Sequence, residues 1–495
     1  MKLSRRLSVI GLPVLLVLAV SGCSTNRATG DQSFTAFMSE EKEIQIGAEE
    51  HPKILKQLGG VYDDPGVDSY IRQMGQSLAR LSDAPHLPYK FTILNDDRIN
   101  AFALPGGYVY ITRGLLALAD TEAEVAGVLA HEIGHVTARH SAERYSSTMA
   151  TNIGLSVLGV IGSAYGLPSG LGNAVSFGAQ AALKGYSRNQ ELEADMLGVR
   201  YLTKAGYNPE AMTSFFRKLD AHHKLEARLR GQGDNGPTHN IMSTHPRTSD
   251  RINQAIKLAK QTPVEIPIIN RELYLSKIDG MVFGDDPSQG VRRGQDFLHP
   301  GLRLAFRVPP GFALFNSPEA VKAYNNKQSS ITFTMETTQN ARKTGNMATY
   351  LSQSWGRKLP LQSVDALNIN GMDAATGLAV IDHKGQTQTI RLLAIRGSVE
   401  QIFRFVFIAT PDEAQRQDVE FRRTTYSVRR LNAQEVAAIR PLRIKVIKPG
   451  RRDTLQSLAR KTPLKEFGVE WLETLNSHDR NTPLERGRLF KTISD

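Results

Sequence analysis

The chain has 495 residues, 40% of them hydrophobic, 22% charged and 7% aromatic. That length exceeds what one hydrophobic core fills, and the composition excludes both a polytopic membrane protein and a disordered chain. A formal charge of +12 suits an anionic partner (nucleic acid, lipid head groups or cell-wall polymer) without choosing among them, and a single cysteine excludes a disulfide framework, a thiolate zinc site and an iron–sulfur cluster supplied by this chain alone.

Lys2, Arg5 and Arg6 precede an apolar run over residues 9–20, and Ser21 and Gly22 lead into Cys23, the only cysteine. This is the layout of a secretory signal, and the run is shorter than the roughly 20 residues of a bilayer span. The segment resembles bacterial lipoprotein signals. That resemblance implies that residues 1–22 are removed and that Cys23 becomes the lipid-bearing first residue. Ser24, where an inner-membrane retention signal carries aspartate, implies the periplasmic face of the outer membrane, where nucleic acid is no partner.

Residues 23–37 read as a polar, flexible tether. Ser39 is placed to cap a helix that opens with Glu40, Glu41 and Glu43. Val67, Tyr70, Ile71, Met74 and Leu78 predict a second helix over residues 66–81, and strands follow over 89–94 and 107–112. A strong helix runs over 121–140, with Thr121 and Glu124 as a capping box and Val125, Val128, Leu129 and Val136 as its buried stripe. Residues 145–183 carry no charge and are rich in glycine, which fits either packed small-residue helices or a lid that touches membrane. Helices over 188–206, 209–227 and 248–261, with a loop over 231–237, complete a first domain at residues 38–262, and 263–299 read as a linker. Residues 300–440 change texture to short strands over 302–308, 330–335, 374–381, 387–395 and 401–408 with one helix near 346–358, an α+β module. Residues 441–495 form a small basic third domain.

The chemistry sits in the helix over 121–140, where His131, Glu132 and His135 stand in a His-Glu-x-x-His pattern. Histidines four apart project from one helical face and can reach one ion at about 2.0–2.1 Å, and Glu132 beside them can handle the proton of an attacking water. A hydrolytic zinc site needs a third ligand, and without a usable cysteine it is His, Asp or Glu. Glu191 is the best-spaced candidate, with Asp195 four residues on placed to orient an imaginable imidazole partner.

These residues resemble the zinc metallopeptidases that include the CAAX prenyl protease and HtpX, and their periplasmic lipoprotein branch. The likeness covers about residues 35–260 and rests on His131, Glu132 and His135, on Glu191 and Asp195 preceded by Ser187 and Arg188, on the run from Asn100 to Gly107, and on His245-Pro246 with Arg251. It implies a mainly α, zincin-like domain with a small β-sheet, one Zn2+ per chain, and Glu191 as third ligand supported by Asp195. Asn100, Ala101, Phe102 and Ala103 would lie along the substrate cleft, where a strand edge can take up a peptide. His245 would be a catalytic residue near the metal, and Arg251 and Arg188 would hold acidic partners beside it. His140 and the other histidines receive no role. The implied function is a zinc endopeptidase acting on unfolded or misassembled envelope proteins. A chaperone or assembly factor whose cleft is closed by His245 or by residues 145–183 is the alternative. Downstream, residues 300–440 resemble PsbP or Mog1 modules in shape, and 441–495 resemble a peptidoglycan-binding LysM module, with Arg451 and Arg452 inserted after Gly450.

Overall fold

The computed structural model describes residues 23–149, 185–229, 241, 245, 249–261, 263–325, 329–337, 345–383, 385–464 and 467–495. The expected signal peptide at 1–22, the loop at 231–237 and nearly all of the charge-free stretch at 145–183 lie outside them. The described chain divides into two compact units, one built from residues to Met281 together with Arg443–Ser494, the other from Val282–Leu442.

In the first unit, β1 (Cys23–Thr25) pairs antiparallel with β2 (Gln32–Phe34). The expected flexible tether is therefore structured, because its polar groups have partners in the folded body: Asn26 Nδ2 donates to Glu193 Oε1 at 2.8 Å and Arg200 donates to the Ala28 carbonyl at 3.0 Å. α1 (Glu40–Gln57) follows, and α2 (Pro65–Arg80) is capped by Asp64, whose carboxylate accepts from Gly66 and Val67. β3 (Lys90–Leu94), β4 (Ala101–Leu104) and β5 (Tyr108–Thr112) form a sheet in the order β3-β5-β4, with β3 parallel and β4 antiparallel to β5. This leaves β4 at an edge. α3 (Arg113–Leu118), α4 (Glu122–Thr137), α5 (Arg188–Lys204), α6 (Ala211–Leu229) and α7 (Ser249–Gln261) build the helical layer. The expected linker at 263–299 instead contains α8 (Arg271–Ile278), whose Tyr274, Leu275 and Ile278 are buried, and the Tyr274 hydroxyl donates to the Leu116 carbonyl. Three apolar side chains at helical spacing explain why these residues order. No helix among the described residues is long and apolar enough to cross a membrane.

The second unit is β-rich. β6 (Val291–Arg293), β7 (Asp296–His299) and β8 (Leu304–Arg307) form a small antiparallel sheet. β9 (Ala313–Asn316), β10 (Val321–Tyr324), β11 (Ser330–Thr337), β12 (Leu361–Ile369), β13 (Met372–His383), β14 (Gln386–Ser398) and β15 (Gln401–Ala409) form an antiparallel seven-stranded sheet in the order β9-β10-β11-β15-β14-β13-β12. Alternation along β15 sends Phe403, Phe405 and Phe407 into a core with Phe297, Phe306, Phe333 and Phe421, while Ile402 joins a second core with Tyr350 and Leu392. Both faces of the sheet are thus covered.

The carboxyl-terminal residues rejoin the first unit. β16 (Leu442–Ile447) pairs antiparallel with β17 (Phe490–Ser494), and α9 (Leu455–Arg460) and α10 (Gly468–Asn476) lie between them in sequence. This segment packs into the first unit rather than standing apart. Lys491, fully buried on β17, donates to the carbonyls of Ala117, Leu118 and Ala119 at 3.0, 2.9 and 2.6 Å, and Lys218 of α6 donates to the Leu475 carbonyl at 2.8 Å.

Candidate metal centre

α4 starts where the Thr121 hydroxyl accepts from Glu124 N at 3.1 Å. The expected capping box is half formed, since the Glu124 carboxylate turns back to accept from Asp120 N at 2.7 Å instead. Every residue of α4 is buried. The expected one-sided stripe is corrected accordingly: α2, the sheet, α5 and α6 all pack around this helix, and its Ala and Gly positions let them. The closest crossing is with α5. A Cβ on Gly134 would stand 3.0 Å from the Ala194 carbonyl oxygen, and one on Gly198 would stand 3.2 Å from both Cα and N of His131. Backbone therefore meets backbone, which brings the acids of α5 within reach of the histidines of α4. α5 itself is opened by a complete capping box of Ser187 and Gln190, which places Glu191 in its first turn.

His131, His135, Glu191 and His245 converge so that one ligand atom from each lies within 4.8 Å of the others. His131 Nε2 is 3.0 Å from His135 Nε2 and 3.5 Å from Glu191 Oε2, and His135 Nε2 is 3.5 Å from Glu191 Oε1. Ligands at about 2.0–2.1 Å from a tetrahedral ion stand roughly 3.3 Å apart, so these gaps have the size a zinc ion demands. His245 Nδ1 joins them, 2.8 Å from Glu191 Oε1 and 3.3 Å from His131 Nε2. Glu132 is completely buried, and neither of its carboxylate oxygens has a hydrogen-bond partner among the described residues. Orphaned buried carboxylate oxygens are costly, and here they face the same cluster: His245 Nε2 is 3.5 Å from Glu132 Oε1. The residues present fit a divalent cation.

Electrostatics agree. Burial disfavours a charged His131, but Asp195 and Glu191 more than offset it and push this imidazole up to about 10, so the metal-free site holds a proton where a cation fits. Burial, and then the charge of His131, drive His135 well below the ordinary imidazole range. Burial would raise Glu191, yet His245 and His131 hold it well below the usual carboxylate range. For Glu132, burial outweighs the charges of His245 and His131 and raises the carboxyl.

Around the ligands, His131 Nδ1 lies 2.9 Å from Asp195 Oδ1, and Arg251 grips Asp195 with two bonds, Nε to Oδ2 at 2.7 Å and Nη2 to Oδ1 at 2.8 Å. Arg251 also lies 2.7 Å from Glu191 Oε2 and donates to the His245 carbonyl at 3.3 Å. Arg251 is thus a partner of Asp195, while Arg188 is exposed on the first turn of α5.

Residues 65–259 match peptidase family M48. They form an M48 peptidase domain. The chain is 32% identical over 225 residues to the putative beta-barrel assembly-enhancing protease of Vibrio cholerae, covering 44% of each, and 30% identical over 247 residues to the beta-barrel assembly-enhancing protease of Escherichia coli strain K12, covering 48% of each. It is also 30% identical over 186 residues to the mitochondrial metalloendopeptidase OMA1 of Schizosaccharomyces pombe, covering 37% of this chain and 51% of that one. The chain spans about half the length of these curated relatives.

Within the M48 domain the other expected residues fall as follows. Ala101, Phe102 and Ala103 form the edge strand β4 with Leu104, packed against α4, and their side chains are buried. Asn100 sits just before it, its side-chain oxygen buried without a hydrogen-bond partner among the described residues. Cys23 begins β1. Two further groups escape periodicity. Tyr186 stacks on His135, with ring centroids 3.8 Å apart, and His140 contacts His135 through a nitrogen–nitrogen approach of 2.8 Å.

Proposed function

We propose that this protein is a zinc-dependent endopeptidase of the bacterial envelope. The observation that carries the reading is the convergence of His131, His135 and Glu191 beside a fully buried Glu132 whose carboxylate oxygens are otherwise unpartnered. His131, His135 and Glu191 would hold the ion, which when bound supplies a Lewis acid for the peptide carbonyl and its attacking water. Glu132, raised by burial, takes the proton from that water and returns it to the leaving amine nitrogen. Asp195 and Arg251 keep His131 oriented and Glu191 ionised. The edge strand β4, with the unpartnered Asn100 oxygen at its start, offers a substrate backbone a place to pair. Bacterial relatives named beta-barrel assembly-enhancing proteases favour proteins of β-barrel assembly, misassembled envelope proteins among them, as substrates, and the amino-terminal pattern supports a lipid anchor at Cys23 on the periplasmic face of the outer membrane. Peptidoglycan is the partner we assign to residues 441–495.

One observation favours a second, compatible reading. With His245 Nδ1 among the ligand atoms, the cluster has four protein donors, and a tetrahedral ion so held has no position left for water or substrate. This arrangement supports a closed state in which the protein acts as a chaperone or assembly factor until His245 withdraws.

The purified chain is incubated with zinc and an unfolded protein, beside Glu132→Gln and a chelator-stripped sample. Cleavage by the first alone is expected, with a loss of about 100- to 10,000-fold in Glu132→Gln; equal cleavage in all three refutes the mechanism. For the anchor, Cys23→Ala is expected to leave the membrane fraction, and its retention there through detergent-sensitive lipid refutes the assignment.

A further inference from the structure

His140 lies five residues beyond His135, and on a continuous helix it would point about 140° away from it. The chain does not continue that way. α4 ends at Ala138, and Arg139 takes a left-handed conformation, φ 57°, before residues 140–149 turn helical again. A non-glycine residue in this region carries strain, and here Arg139 is held by Glu43, with Nε donating to Oε1 at 2.7 Å, and by the Met38 carbonyl at 2.6 Å. The reversal folds the His140 ring back onto the far side of His135. His140 is 1% exposed, its Nδ1 is 2.8 Å from His135 Nδ1, and its Nε2 is 3.1 Å from Glu193 Oε2. Glu193 Oε1 in turn accepts from the buried Asn26 side chain at 2.8 Å, and Asn26 Nδ2 also lies 3.4 Å from the Ala138 carbonyl.

The proton positions along this chain follow by elimination. Glu193 takes the Asn26 amide hydrogen on Oε1 and faces His140 Nε2 with Oε2, so as an ordinary carboxylate it accepts at both oxygens. His140 Nε2 is therefore the donor. With its N–H on Nε2, the tautomer of His140 that fits the 2.8 Å Nδ1–Nδ1 approach has a bare Nδ1, which accepts from His135 Nδ1–H. His135 is left with its Nε2 lone pair uncovered and aimed at the ligand cluster, the one tautomer that can bind a metal there.

We propose that His140, Glu193 and Asn26 are positioning residues for the metal centre: they fix the tautomer and ring plane of His135, and they tie the first residues after Cys23 to a metal ligand. The proposal rests on the metallopeptidase reading above, but its test does not use peptidase activity. Zinc affinity of the purified full chain is measured by competition with a chromophoric chelator, the cobalt(II)-substituted spectrum is recorded, and the metal-free melting temperature is followed in parallel. His140→Ala is expected to weaken zinc binding by about 10- to 100-fold and to shift the cobalt bands, with Glu193→Ala changing both in the same direction. His140→Gln supplies an amide oxygen for His135 and an amide N–H for Glu193, so it is expected to recover most of the affinity, which a purely structural defect at His140 would not predict. Unchanged affinity in His140→Ala, or a weakening that His140→Gln does not relieve, overturns the proposal. A wild-type chain that binds no zinc overturns the metallopeptidase reading instead.

Discussion

Lys491→Met tests whether the carboxyl-terminal segment is part of the catalytic unit's own architecture. Lys491 Nζ is fully buried, donates to three carbonyls at the end of α3, and lies 3.1 Å from Asp120 Oδ1. Those carbonyls and Asp120 form the turn that leads into α4, the helix carrying His131 and His135. Methionine keeps the volume but cannot donate. Each orphaned carbonyl costs about 1–3 kcal/mol, and the cost of burying the ammonium, several kcal/mol, is recovered. Asp120 keeps Lys218 and the Ser477 hydroxyl, the latter at 2.8 Å, so its charge stays compensated. The balance is a loss of about 3–5 kcal/mol, the range seen when one partner of a buried pair is removed, or a melting temperature lower by about 6–20 °C. Urea unfolding monitored by the fluorescence of Trp471, which lies on α10 of the same segment, measures it. Lys445→Met, at an exposed position of β16, serves as control and should stay within about 0.5 kcal/mol. A loss below about 1 kcal/mol for Lys491→Met, or equal losses for the two variants, refutes the argument.

Gly198→Val inserts a branched side chain where even one carbon would stand 3.2 Å from the His131 backbone, so α4 and α5 must separate; zinc affinity is expected to fall at least about tenfold, and a chelator competition giving wild-type affinity contradicts the close-crossing argument. Stripping zinc is expected to lower stability by about 2.7 kcal/mol relative to protein at one hundred times the dissociation constant, and scanning calorimetry with and without metal reads it directly; coincident transitions count against a folded-state site. His131, pushed up to about 10 in the metal-free protein, carries a proton at pH 7 that a cation must displace. Zinc binding at pH 7 is therefore expected to release at least one proton, with apparent affinity rising about tenfold per pH unit until that value is reached. Titration calorimetry in buffers of different ionisation enthalpy gives the count, and a count of zero contradicts the charge assignment.

Much of this site is legible along the chain because its donors obey helical spacing. His131 and His135 are four apart, as are Glu191 and Asp195, and each pair does share a face. What periodicity misses is whatever depends on a break in it. A 3.6-residue period carried through Arg139 turns His140 away from the metal, whereas the positive φ at that residue turns it back. Burial on all sides of α4 is equally hidden, since alanine and glycine at the non-stripe positions give no apolar signal yet are what lets the neighbouring helices close in. Net charge misleads in another way. Lys491 contributes to a basic carboxyl-terminal segment whose charge suits an anionic partner, but its side chain is wholly inside and donates to α3 carbonyls more than three hundred residues away in the chain. The structured stretches at 23–37 and 263–299 fail for a related reason: their partners, such as Glu193 for Asn26 and Leu116 for Tyr274, are distant in sequence.

Charge balance explains why so many ionisable groups tolerate one buried site. Glu132, Glu191 and Asp195 are buried acids, and Arg251, buried against two of them, is the permanent cation among them. Ionised together, the four groups are two negative charges from neutrality. Without metal, a proton on His131, held there by two carboxylates, makes up part of the difference, and burial shifts Glu132 in the same direction. With a divalent cation bound, its two positive charges would balance the site with His131 neutral and able to ligate and Glu132 ionised and able to act as a base. Exchange of the His131 proton for a divalent ion would thus both stabilise the fold and prepare the proposed chemistry. Arg251 is central to it: as the group that touches Asp195, Glu191 and the His245 carbonyl at once, it ties the supporting acid, the third ligand and the segment carrying the fourth donor into a single electrostatic unit.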